Sequence, residues 1–516
     1  MVLNKEERGY KLEKNKWLKL KSGSDIRGTA IKEKNKSVDL TKKVTETIGK
    51  SFADWLVENK VKKNKDLTIA VGKDSRISGD KLKKNLIKGL TGSGVNVYEC
   101  GLASTPAMFM STIFDEHNYD GAIMITASHH PYNKNGFKFF TEKGGLEEEN
   151  ITEILEIAAS EELSYVEEKK EGKVFEIDLI NDYSKYIIQK IKDLVEQDVN
   201  KSKPLSGFNI VVDAGNGTGG FFVDEILKPL GADTAGSQFL KPDGRFPNHV
   251  PNPENDEAMQ AIKQAVNEND ADLGIIFDTD VDRAAVVDDN GKAINRNRLI
   301  ALASVIVLNE HPGSIIVTDS VTSKGLTNFI EDKLGGNHHR FKRGYKNVIN
   351  EAIRLNKEGK EAHLAIETSG HAAFKENYFL DDGAYLIAKI LVKMANLKKE
   401  GQNIGELISD LKEPEVAKEF RITIQMDEFK DYGKNVLEQL KSFVKKKSNW
   451  EIAPKNYEGV RVNYGEDDWF LMRMSLHDPV LVLNVECDRK ENLKDIKKNL
   501  KNFLEEFDNL NVEELL

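Results

Sequence analysis

The chain has 516 residues, of which 31% are charged and 39% hydrophobic, and a formal net charge of −10. That balance excludes a disordered chain and disfavours a nucleic-acid partner, because no domain-sized segment concentrates basic residues. Two distant cysteines, Cys100 and Cys487, cannot build a disulfide framework and point to a reducing cytoplasm.

The first residues, MVLNKEERGYKLEKNKW, lack the apolar core of a signal peptide and carry glutamates that a transit peptide avoids. Three apolar runs ending in polar turns then recur: LTIAVGKDSR (67–76), FNIVVDAGNGTGG (208–220) and SIIVTDSVTS (314–323). Each precedes a stretch compatible with helix. A second apolar run follows each one and ends in an unusual loop: GAIMITASHHP (121–131), ADLGIIFDTDVDR (271–283) and HLAIETSGH (363–371). A pattern repeated this way predicts three similar α/β domains with mixed sheets, each aiming one loop past its strand ends. The longest clean apolar stretch, LIALASVIVL (299–308), is too short to span a bilayer and predicts a buried helix. LKEPEVAKEF (411–420) reads as a linker, and the alternating strands and polar helices beyond it predict a smaller C-terminal α+β domain. The Lys445–Lys446–Lys447 run reads as a solvated face. The expected divisions are 1–203, 204–309, 310–418 and 419–516.

The loops carry the chemistry. DTDVDR sets Asp278, Asp280 and Asp282 at alternate positions straight after an apolar run, so three carboxylates converge where undirected charge is costly. An EF-hand would need glycine and glutamate where Arg283 and Asp289 stand, so the spacing points instead to Mg²⁺ with room for water or a phosphate oxygen. ETSGH offers Glu367, Ser369 and His371 as a compact hydrogen-bonding set of the kind a polyhydroxylated ligand requires, although a capped helix start explains it equally well. In ITASHHPYNKNGFK, Ser128 suits a nucleophile or phosphate carrier, with a turn or helix cap as the alternative. Arg27, Arg76, Arg343 and Lys346 sit at turn signals and together could form a cationic cleft within an acidic protein.

With these residues in place, the chain resembles the α-D-phosphohexomutase superfamily over nearly its whole length. SGSDIRG, GKDSRISG, TASHHPYNKNGFK, VDAGNGTGG, PDGRFPNHVPNPEN, DTDVDR and ETSGH resemble its motifs, in order. The resemblance implies three similar α/β domains and a fourth, smaller one. It implies that Ser128 carries a phosphoryl group and that Asp278, Asp280 and Asp282 bind Mg²⁺, with a phosphoserine 128 oxygen completing the site. It implies that Arg27, Lys138 and Arg283 surround the transferring phosphate and that Glu367 and Ser369 bind sugar hydroxyls. A general acid and base are needed, and Lys138 and His129 are the candidates. The implied activity interconverts hexose 1-phosphate and hexose 6-phosphate, glucose or mannose, through a hexose 1,6-bisphosphate that also serves as activator.

One motif departs. Where the family's fourth domain usually has a glycine- and threonine-bearing phosphate loop, this chain reads RMSLHDPVLV. Arg473, Ser475 and Pro479 remain, Leu476 and His477 replace glycine and threonine, and Val482 replaces a later arginine. One fork of a bidentate phosphate clamp is missing, and His477 is the candidate replacement donor. The loop resembles that of a divergent branch of the family. Phosphoglucosamine mutase, a metal-dependent sugar phosphatase and a non-catalytic sugar-phosphate sensor are the competing expectations.

Overall fold

The computed structural model describes residues 14–33, 37–59, 67–160, 171–475 and 478–515. His477 lies outside the described residues. Two compact units emerge: Met1–Ala293 with Leu380–Asn403, and Ile294–Phe379 with Ile404–Leu516.

The first unit holds two sheets. In the larger one, the parallel strands Gly121–Ile125, Thr68–Lys73, Asn96–Leu102 and Val174–Glu176 follow one another, and Lys134–Thr141 and Asp25–Thr29 extend the Gly121–Ile125 edge antiparallel. Gly121–Ile125 is buried along its whole length, as its unbroken apolar run requires of a strand covered on both faces. Helices Lys42–Glu58 and Gly79–Gly92 pack together so closely that a Cβ on Gly89 would lie 2.1 Å from the Glu46 carbonyl oxygen. Phe52 of the first helix packs against Phe139 of the sheet with tilted rings, centroids 4.8 Å apart.

In the smaller sheet, Ile210–Asp213 and Leu273–Phe277 are parallel and Ala284–Asp288 returns antiparallel. Helix Asp256–Glu268 covers it through Met259, Ile262 and Val266. Helix Gly383–Leu397 also belongs to this unit. Its N-cap Asp382 accepts from the Tyr385 N–H (2.9 Å) and from the Tyr183 hydroxyl (2.6 Å). By contacts, helix Gly383–Leu397 falls in the first unit and helix Arg296–Glu310 in the second. Arg296–Glu310 is the buried helix its apolar run predicts, enclosed from Arg298 to Leu308.

In the second unit, Ile315–Thr318 and Ala362–Ile366 are parallel and Ala372–Phe374 returns antiparallel. The three repeats therefore share one arrangement: two parallel strands, then a loop, then an antiparallel return. The loops in that position are 126–133, 278–283 and 367–371. The C-terminal sheet is antiparallel throughout, with helices Phe429–Val444 and Lys490–Leu504 packed on it. Its strand Val416–Ile424 begins inside the expected linker, which shortens to 411–415, because Val416 already pairs with Cys487 and Val416, Ile422 and Ile424 are buried. No described helix is long and apolar enough to cross a membrane.

Asp382→Ala removes a helix cap and leaves the buried Tyr183 hydroxyl without its acceptor. It is expected to destabilise the protein by about 2–3 kcal/mol in urea unfolding. An unchanged midpoint would show that neither contact matters.

Candidate active site

Ser128 follows the strand Gly121–Ile125 with φ at +47°, in the left-handed region that L-residues rarely adopt. The Thr126 hydroxyl accepts the Ser128 N–H at 2.9 Å, and Arg27 donates to the Thr126 carbonyl while ion-pairing with Asp25 at 2.7 Å. The strongest constraint is Arg76, whose side chain is fully buried. Its guanidinium donates to the carbonyls of Ser128, His130 (2.6 Å), Pro131 (2.9 Å) and Lys134 (3.1 Å), and pairs with Asp74 at 3.2 Å. Burial lowers its pKa, and Asp74 opposes that shift. One planar cation thus fixes four carbonyls of one loop, which the rigid fork of arginine suits and an ammonium does not.

The Ser128 hydroxyl reaches Asp278 Oδ2 at 3.1 Å, and Arg283 Nη2 donates to it at 3.0 Å. Asp278, Asp280 and Asp282 are all fully buried. They offer carboxylate oxygens within 4.8 Å of one another. Burial, then the Asp282 and Asp280 charges, push the Asp278 carboxyl well above the usual range. Burial weakens the Arg283 charge, but Asp278 and Asp282 outweigh it and raise its pKa. Lys138 donates to Asp282 at 2.5 Å and lies 3.8 Å from Asp280. Thr105 donates from its hydroxyl to Asp280 Oδ2 at 2.5 Å and from its N–H to the Asp280 carbonyl at 2.9 Å. Asp280 Oδ1 is buried with no hydrogen-bond partner among the described residues. An all-carboxylate set with an orphaned buried oxygen fits a hard divalent cation such as Mg²⁺.

His129 adjoins this cluster. Its Nδ1 lies 2.8 Å from Arg283 Nη2 and 3.4 Å from the Ser128 hydroxyl. A guanidinium only donates, so Nδ1 is an acceptor here and the ring proton belongs on Nε2.

The second unit carries the other candidates. Glu367 Oε1 accepts the Gly344 N–H at 2.6 Å, and Ser369 donates to Oε2 at 3.3 Å. Thr368 donates twice to Asp319, at 2.6 and 3.1 Å, and the His371 ring stacks on Tyr345 at 5.1 Å. Burial, then the Asp319 charge, push Glu367 up to about 7. Arg343 lies just before helix Tyr345–Lys357, and Lys346 lies in its first turn. Arg473 lies on the strand Asp468–Met474, and Ser475 follows it. Ser128, His129, Lys138, Arg27, Arg283 and the three aspartates are therefore brought together in the first unit. Glu367, Ser369 and His371 share one loop of the second.

Asp74, Thr105 and Asp319 were not singled out from sequence, and Arg76 was read only as one of several basic groups. Each sits in or beside a turn signal, but nothing local shows that Arg76 is needed by Ser128, Asp319 by Thr368 or Thr105 by Asp280, from 49 to 175 positions away.

Arg76→Met strips the cation from Asp74 and frees four carbonyls. It is expected to cost about 3–5 kcal/mol in urea unfolding, with Arg76→Lys intermediate; equal stability of all three proteins would exclude the clamp. Glu367 has a folded pKa of about 7 against an ordinary 4.5, so its neutral form is favoured by folding. Its stabilising contribution is complete below about pH 4.5 and is lost as pH rises through about 7. Glu367→Gln is expected to flatten that decline, at about 1.4 kcal/mol per pH unit removed; an unaltered slope would assign the titration elsewhere.

Comparison with known proteins matches this fold. Residues 19–165, 181–291 and 295–414 match the models for phosphoglucomutase/phosphomannomutase, alpha/beta/alpha domains I, II and III. A phosphoglucomutase from Neisseria gonorrhoeae is 32% identical over 93% of this chain and 95% of that protein. A phosphomannomutase/phosphoglucomutase from Pseudomonas aeruginosa is 32% identical over 85% of this chain and 88% of its own. The crystal structure of a phosphoglucomutase/phosphomannomutase family protein from Burkholderia thailandensis is 26% identical with a TM-score of 0.76, covering 94% of this chain and 97% of that one. With three matched domains in order and relatives aligned almost end to end, the chain belongs to the phosphoglucomutase/phosphomannomutase family of the α-D-phosphohexomutase superfamily.

Proposed function

We propose that this protein is a hexose-phosphate mutase, an intramolecular phosphotransferase that interconverts hexose 1-phosphate and hexose 6-phosphate, with glucose or mannose as the sugar, through a phosphoryl group carried on Ser128. The observation that carries the reading is the Ser128 hydroxyl held between Asp278 and Arg283 at the edge of a buried carboxylate triad. A hydroxyl so placed can hold a phosphoryl group beside both a cation site and a fixed guanidinium.

In the forward half-reaction, the free hydroxyl of a hexose monophosphate attacks the phosphorus of phosphoserine 128. The serine O–P bond breaks, and the product is a hexose 1,6-bisphosphate. The bisphosphate then presents its other phosphate, which returns to Ser128, so the same intermediate added in trace amounts acts as activator. Asp278, Asp280 and Asp282, with an oxygen from Ser128, would hold Mg²⁺. When bound, the ion supplies neutralisation of charge on the phosphoryl group. Arg283 orients the serine oxygen, Arg27 secures the base of its loop, and Lys138 adds positive charge beside the triad. One proton leaves the attacking hydroxyl and one enters the departing serine oxygen; Lys138 is the candidate donor to that oxygen, and His129 Nδ1, an acceptor 3.4 Å from the serine hydroxyl, is placed to take the serine proton when the phosphoryl group returns. Glu367, Ser369 and His371 are assigned to sugar hydroxyls, and Arg343, Lys346, Arg473, Ser475 and His477 to the non-reacting phosphate.

The test is ³¹P NMR of the protein with Mg²⁺, glucose 1-phosphate and a trace of glucose 1,6-bisphosphate. Glucose 6-phosphate is the expected product, with mannose and glucosamine phosphates ranked against it. Inorganic phosphate would mark a phosphatase, and no reaction with any of the three sugars a sensor. Ser128→Ala is expected to lower turnover at least about 10³-fold with the fold intact, and chelation of Mg²⁺ to do likewise. Retained turnover in Ser128→Ala would remove the serine from its role.

A further inference from the structure

The turn Tyr457–Glu458–Gly459 has no part in the phosphoryl transfer. It leads into the strand Val460–Tyr464 of the C-terminal sheet. Gly459 has φ at +58°, and a Cβ there would lie 2.2 Å from the Met472 carbonyl oxygen and 2.7 Å from Arg473 Cβ. Only glycine lets the chain pass so close, and the passage sets Glu458 beside Arg473.

The Glu458 carboxylate has a distinctive set of neighbours. The Ser320 hydroxyl donates to Oε1, the Arg343 N–H donates to the same oxygen at 3.1 Å, and Arg473 Nε lies 3.9 Å from it. A hydroxyl, a backbone N–H and a guanidinium form the donor set that elsewhere receives a phosphate oxygen. Arg473 has more to give. Its side chain is only 9% exposed, its Nε is buried with no hydrogen-bond partner among the described residues, and its Nη1 makes one long contact, 3.4 Å to the Met474 carbonyl. Among the described residues, an ion pair at 3.9 Å leaves that arginine charge-compensated but poor in hydrogen bonds.

We propose that Glu458 is the resident counter-ion of this half-site, occupying the donors that a phosphomonoester dianion takes, so that ligand phosphate must displace it from Arg473 to bind. The inference rests on the reading that Arg343 and Arg473 receive the non-reacting phosphate. It adds a specificity element. A neutral sugar has no means of displacing the carboxylate, whereas a dianion with three acceptor oxygens outcompetes it for the guanidinium.

Calorimetric titration of glucose 6-phosphate into Ser128→Ala and into Ser128→Ala/Glu458→Gln tests it, since neither turns substrate over. Glutamine keeps an oxygen for Ser320 and Arg343 but removes the competing charge. The double variant is expected to bind about tenfold more tightly, a shift of about 1.4 kcal/mol. It is also expected to melt at a lower temperature without ligand and to recover more on adding it. Equal or weaker binding, with Ser128→Ala itself binding normally, would overturn the counter-ion and leave the mutase reading standing. No binding of glucose 6-phosphate, mannose 6-phosphate or inorganic phosphate to either protein would overturn both.

Discussion

Three carboxylates buried within 4.8 Å of one another are the constraint around which the first unit is organised. Like charges so close, in a medium less polar than water, repel by several kcal/mol unless opposite charge is supplied. The chain supplies part of it, with Arg283 on Asp278 and Lys138 on Asp282, while the neutral Thr105 hydroxyl adds only a hydrogen bond to Asp280. The remaining demand is what a divalent cation would meet. Positive charge gathered for the aspartates also lies on the Ser128 hydroxyl, because Arg283 donates to both. Compensating the triad and preparing the serine are therefore the same arrangement.

That arrangement needs loops bent more sharply than L-residues prefer. Val281, in the middle of the aspartate loop, has φ at +67°, and Ser128 has φ at +47°. Such residues persist where their surroundings over-determine them. Around Val281 the buttress is glycine: a Cβ on Gly383 would lie 2.9 Å from the Val281 carbonyl oxygen, and one on Gly217 would lie 2.7 Å from that of Thr279. Around Ser128 it is the Arg76 guanidinium. VDAGNGTGG and GKDSR thus serve the loops of other segments rather than their own.

Much of this was legible in the sequence because it is written locally. An apolar run of five residues ending in Asp-x-Asp-x-Asp announces a buried strand with a charged end, and Gly121–Ile125, Leu273–Phe277 and Ala362–Ile366 lie where their runs predict. What was not legible is pairing at a distance. Arg76 looks like any turn arginine until the loop at 128–134 folds over it, and Thr105 looks like the first residue of a helix. Helix Gly383–Leu397 follows the third repeat in sequence, yet its cap is tied to Tyr183 and its first residue packs on Val281. The linker ran too far because Ala417, Lys418 and Glu419 are exposed, and the strand shows itself only in its pairing with Val480–Cys487.

The route of the chain has a consequence for synthesis. The first unit comprises residues up to 293 and then Leu380–Asn403, with more than eighty residues of the other unit between. An N-terminal fragment ending at 293 holds every aspartate of the triad, but lacks the helix whose first residue braces Val281 and whose cap holds Tyr183. The emerging polypeptide must keep that surface unfinished while the intervening segment is made. The last piece of the first unit thus arrives only after the loop 367–371 has been translated, which ties completion of the aspartate loop to delivery of the proposed sugar-binding residues.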